Sequence, residues 1–160
     1  MDLQTWLSNH PNQAFLLAFG LVSLWCAGWI SASIVYRKRQ GKALFPKPPA
    51  GAKFVRTNVS GRSRRGFLTS LGGARNCLMV AVTDRGLTVT PVFPLNLMFL
   101  PEVWDLEHNI AFADIVSLSA RNGMGTEILD IHFRSSNGEA RHFELRLPDA
   151  SRLIAAVENR

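Results

Sequence analysis

Residues 14–36 read AFLLAFGLVSLWCAGWISASIVY, and no Asp, Glu, Lys, Arg or His interrupts them. At ~1.5 Å of rise per residue, a helix of this length crosses a hydrocarbon core of ~30 Å. Inside lipid only a helix or a closed barrel satisfies its own backbone, and a single segment cannot close a barrel. Trp25, Trp29 and Tyr36 lie in the C-terminal half, where an aromatic belt would sit. A buried helix of a globular protein would be shorter and amphipathic. A cleaved signal peptide would carry its basic residues before the apolar core. Here Asp2 is the one charged side chain ahead of the run, and Arg37, Lys38 and Arg39 follow it. The positive-inside rule then predicts a single-pass signal anchor in a cell (inner) membrane. Residues 1–13 lie outside, 14–36 span, and the chain beyond faces the cytoplasm, oriented by Arg37, Lys38 and Arg39.

The charge of the rest is segregated. From Arg37 to Arg75 there are eleven Lys or Arg and no acidic residue; from residue 76 onward there are seven basic against eleven acidic side chains. The net charge of +6 therefore belongs to the juxtamembrane stretch, and the remainder is mildly acidic. Anionic headgroups attract each such Lys or Arg by ~1 kcal/mol, so topology and lipid contact explain the basic excess. The pattern argues against a nucleic-acid partner, because no aromatic–basic interleaving marks a sheet face. Cys26 lies in the anchor and Cys77 in an apolar run, so no disulfide framework or metal-ligand spacing arises.

Residues 37–53 form a basic, Pro-rich linker. Its part QGKALFPKPPAGAK, residues 40–53, holds three prolines and two glycines, which stop the helix and predict an extended tether of at most ~40 Å. Residues 54–160 remain for one small domain with its own core. Strand patterns cover residues 54–59, 67–71, 77–83, 87–92, 110–119, 126–134 and 139–147, with Asp84-Arg85-Gly86 as a turn. Ala150, Leu153, Ile154 and Val157 then recur at helical spacing after a capping Asp149. The expected fold is one transmembrane α-helix followed by a mainly-β domain of about seven strands and a C-terminal helix.

This order resembles the pleckstrin-homology-like superfold, including its GRAM branch and small membrane-anchored bacterial members. The resemblance is carried by VTDRGLTV (82–89), IAFADIVSL (110–118), ILDIHF (128–133), HFELRL (142–147) and the terminal helix. It implies a bent barrel with the helix plugging one open corner. It also implies a binding module for lipid or protein, with basic residues near the first hairpin; Arg62, Arg64, Arg65 and Arg75 stand nearest that position.

No residue pattern asks for catalysis. Cys77 has no histidine near it in sequence, and Gly72-Gly73 lacks the Lys-Ser/Thr of a phosphate loop. Glu102, Asp105 and Glu107 are expected in a solvated loop. The expectation is a non-enzyme without cofactor or metal, whose partners are membrane lipid and another membrane or cytoplasmic protein. An accessory subunit of a membrane assembly is the alternative, with Gly28/Ala32 and Ala27/Ser31 permitting close helix packing.

Two features stay open. In the hairpin over residues 126–147, a three-residue loop Ser136-Asn137-Gly138 sets His132 opposite His142 but also Asp130 opposite Glu144; a slipped register would match Asp130 with Arg146. The loop VFPLNLMFLP, residues 92–101, either covers the barrel end or presents Leu97, Met98 and Phe99 as an apolar contact patch.

Overall fold

Helix α1 (Pro11–Arg39) takes up the charge-free run and continues through the basic cluster. Pro11 opens it, where a missing N–H costs nothing. Arg37, Lys38 and Arg39 occupy its last turn, at the negative end of the macrodipole. The helix is long and apolar enough to cross a membrane, and its apolar window is not buried by the chain. The computed structural model describes residues 9–97, 100–123 and 125–159, without the side chains of Leu68 and Leu100. These divide into two units between Lys42 and Ala43.

The second unit contains β1 (Phe54–Ser63), α2 (Phe67–Leu71), β2 (Ala74–Val82), β3 (Gly86–Pro91), α3 (Leu100–Val103), β4 (His108–Ala111), β5 (Ile115–Asn122), β6 (Glu127–Arg134), β7 (Ala140–Leu147) and α4 (Ala150–Glu158). All strands pair antiparallel in one open sheet ordered β4-β3-β2-β1-β7-β6-β5. Seven strands are present, but two expected segments differ. Residues 67–71 are helix, because the hydroxyls of Thr69 and Ser70 donate to the Gly66 carbonyl (3.0 and 2.7 Å) and close a turn. Residues 110–119 are not one strand: a 3-10 turn at Phe112–Asp114 separates β4 from β5.

That turn dictates the curvature. β4 and β5 are the two edges of the sheet, yet Ala111 and Ile115 are four steps apart in the chain. Four residues span less than ~14 Å, so the sheet curls until its edges approach. β1 makes the bend. Its first part pairs with β2 from Phe54↔Val82, and Ser60–Ser63 pair with Arg146–Phe143 of β7. Between them the register slips, with Asn58 and Asn76 in left-handed backbone and the Asn76 amide donating to Ser60 Oγ (3.0 Å). At the crossing Gly61 is required. A Cβ there would lie 2.8–2.9 Å from Leu78 Cδ1, the Glu144 carbonyl oxygen and Phe143 Cε1.

The inward faces bury Val59, Leu78, Val80, Val82, Leu87, Val89, Leu129, Ile131, Phe143 and Leu145 in one core. Helix α4 adds Ala150, Leu153 and Val157 to it and touches β1, β2, β5 and β6. Asp149 precedes α4, but its side chain makes no cap bond. Instead Glu127 Oε2 on β6 accepts from the Ser151 amide (3.3 Å), while Asp149 pairs with Arg56 (3.7 Å).

The β6–β7 register is the one that turn chemistry favours. Gly138 is left-handed at φ 81°, and Asp130↔Glu144, Ile131↔Phe143 and His132↔His142 stand opposite. The loop after β3 is mixed in character. Val92 packs on the core, Asn96 is buried, Leu97 is half-buried, and Phe93 and Leu95 are exposed. Asn96 Nδ2 donates to the Leu44 carbonyl (2.6 Å), and the Phe45 ring lies tilted against Phe93 at 4.9 Å. The expected tether is thus partly engaged: residues 44 and 45 are held against this loop. Met98 and Phe99 lie outside the described residues.

Candidate functional site

The outer face of β1, β7, β6 and β5 carries a charge cluster assembled from four strands. The register forces Asp130 and Glu144 together, and only 3% of Glu144 is exposed. Two like charges opposite each other on a sheet repel. Neighbouring strands supply the cations that offset this. Arg62 Nε donates to Glu144 Oε2 (2.6 Å), and Arg64 approaches Oε1 (2.7 Å). Arg121 on β5 bridges both acids, at 2.7 Å to Asp130 and 3.2 Å to Glu144. His142 Nε2 lies 2.9 Å from Asp130 Oδ1, with the His132 ring stacked on it at 4.2 Å.

The same geometry sets the acidities. Burial alone would raise both carboxyl groups. For Glu144 the hydrogen bonds from Arg62 and Arg64 outweigh it, and for Asp130 those from Arg121 and His142 do, so both fall below the ordinary carboxylate range. Asp130, His142 and Glu144 offer ligand atoms within 4.8 Å of one another. A cation entering there would have to displace guanidinium groups already bonded to the carboxylates, so the donor set suits a structural ion-pair network better than a metal.

A second polar group centres on Asp105. Asp105, expected in a solvated loop, is half-buried. It accepts from Ser63 Oγ (2.8 Å) and Arg141 (2.9 Å), because the turn after α3 is left-handed at Asp105 (φ 51°) and folds it inward. His108 Nε2 donates to the Asp105 carbonyl (2.7 Å), since a carbonyl can only accept. The ring packs edge-on to Phe133 and Phe143 at 5.2 and 4.9 Å. Burial pushes the His108 pKa down, against the pull of Asp105. A depressed pKa means the unfolded chain takes up the proton first. The His108 contribution to stability is therefore complete above ~6.5 and is lost as pH falls through the folded value. His108→Gln is expected to flatten the decline of melting temperature below that point; an unaltered slope would exclude His108 as its source.

The β1–β2 connection is an exposed basic region. Arg62, Arg75 and Arg146 line an open cleft of about 280 Å³, floored by Gly72 and Gly73. Of the four arginines expected to meet lipid, Arg62 and Arg64 are committed to Glu144 and Arg65 to the exposed Glu139 (3.2 Å). Arg75 projects from β2 beside the cleft and makes no ion pair among the described residues. Within this connection Phe67 is 78% and Leu71 71% exposed. The sequence pattern missed this pair because residues 67–71 read as strand; the flanking glycines, Gly66 and Gly72-Gly73, were the available sign of a turn.

Cys77 is buried, and burial pushes its thiol pKa up against a backbone hydrogen bond from Arg75, which keeps it protonated. No protein-family model and no curated protein sequence matches this chain.

Proposed function

We propose that this chain is a single-pass, signal-anchored membrane protein whose β domain faces the cytoplasm. It works there by binding an anionic lipid or a partner protein, without catalysis or cofactor. The observation that carries this reading is the β1–β2 connection. It joins exposed apolar side chains to arginines, on a domain that follows a helix of membrane-spanning length ending in Arg37, Lys38 and Arg39. The strand order and the packed terminal helix support a pleckstrin-homology-like identity for the domain, a fold used mostly for recognition; recognition itself resides in the surface. A reporter fused after Arg160 is expected to be active only if it works in the cytoplasm. Activity of a reporter that requires export would reverse the orientation.

An accessory subunit is the second reading. Its support is the uncovered apolar window of α1, in which a Cβ added at Gly28 would meet nothing within 4 Å. Crosslinking from position 28 in native membranes should then trap one defined neighbour.

A further inference from the structure

We propose that residues 64–75 form a membrane-contacting wedge. Phe67 and Leu71 enter the headgroup–acyl boundary of an anionic bilayer, and Arg75 and Arg146 meet its phosphates. This rests on the reading of the domain as a binding module held beside a membrane, and it names the ligand.

Three observations support it. Phe67 and Leu71 are one helical turn apart, so they share a face of α2, and that face is turned to solvent. Apolar side chains isolated on a surface are common, but a paired turn of them is maintained here by specific structure. Gly66 is bonded to Thr69 and Ser70 at one end of the turn. At the other, Gly72 lies so close to the Trp104 ring that any Cβ would overlap it. The turn is therefore clamped in a position that leaves Phe67 and Leu71 outside the core.

The surrounding charge selects the occupant. Arg62, Arg64, Arg65, Arg75 and Arg146 lie around the connection and its cleft, against Glu139 and Glu144. Glu144 is consumed by buried pairing, and the excess that reaches water is positive. An apolar tip ringed by positive charge fits an anionic bilayer, where the headgroups attract the ring and the tip displaces water among acyl chains. A second copy of the same surface would bring like charges together.

The test uses the full chain in nanodiscs, in a background with Cys26→Ser and Cys77→Ala. An environment-sensitive fluorophore is placed on Leu71→Cys, with Ser136→Cys, at the exposed β6–β7 turn, as control. Nitroxide-bearing lipid should quench position 71 and not position 136, in discs containing phosphatidylserine and not in pure phosphatidylcholine. Arg75→Glu should shift the contact equilibrium by on the order of thirtyfold, since it removes one attraction and adds one repulsion. Phe67→Ser should also reduce the quenching while leaving the melting temperature unchanged. Equal quenching at both positions, or quenching indifferent to lipid charge and to Arg75→Glu, overturns the wedge. So does a signal that appears only with two copies per disc, which would assign the surface to self-association. Nanodiscs expose both faces, so this readout is blind to orientation. An inverted reporter result would remove the cytoplasmic reading alone, and an unquenched label would remove the wedge alone.

Discussion

Leu153→Ala is expected to lower the unfolding free energy by ~2–5 kcal/mol, which is a large share of the stability of a domain this size. Leu153 is fully buried on α4, between Ala150 and Val157, in the same core as Leu129, Ile131 and Leu145. The curled sheet makes the site hard to collapse. Its edges are joined through Phe112–Asp114, so its strands cannot simply close in on the vacated volume. The loss should fall toward the upper end of the range. Urea unfolding of the detergent-solubilised chain, followed by intrinsic fluorescence, reads it directly. A midpoint equal to that of the parent would mean that α4 is not an integral part of the core.

Glu144→Ala should cost about 2–3 kcal/mol, below the 3–5 typical of breaking a fully buried pair. The acid is nearly inaccessible, but the three arginines that converge on it are a third to a half exposed and can turn to water. What remains is mutual repulsion of Arg62, Arg64 and Arg121 around an empty acceptor. Glu144→Gln keeps the shape and two polar atoms and should cost less. Because the folded pKa values of Glu144 and Asp130 are depressed, their contribution is present above the ordinary carboxylate range near ~4 and disappears as pH falls through the lower folded values. In Glu144→Ala the acid limb of the stability profile should therefore be shallower than in the parent. Equal stability of parent and Glu144→Ala at neutral pH would show that the cluster holds nothing together.

Much of the architecture was legible in one dimension. A charge-free run of this length has few readings, and alternation over residues 126–147 set the inward face of β6 and β7. The choice between the two hairpin registers was not legible, because the deciding partners lie elsewhere in the chain. Asp130 facing Glu144 looks unfavourable within the hairpin. It is tolerated because β1 contributes Arg62, the residue after β1 contributes Arg64, and β5 contributes Arg121. The same arginines explain why the proposed binding surface was only half visible. Their positive charge was evident, but its consumption by a buried glutamate on β7 was not. For residues 67–71, five positions are too few for periodicity to separate strand from helix. The apolar contact patch was sought in residues 97–99, of which only Leu97 is described, and it is half-buried. The exposed apolar pair lies in the connection whose sequence pattern reads as strand.

The pairing of β1 with β7 also bears on how the protein is made. Ser60 sits opposite Arg146, so the strand that bends the sheet lacks one of its two neighbours until 86 further residues have been synthesised. At ~5–20 residues per second that interval is about 4–17 s. The apolar helix precedes the whole domain in the chain and, on the proposed membrane-anchored reading, can be delivered to the membrane while the domain is unfinished. Until β7 follows, β1 keeps one edge open and the core face it shares with β2 to β4 stays uncovered. On the proposed membrane-anchored reading, synthesis at the membrane surface, rather than release of a completed chain, is the order of events that this strand order favours.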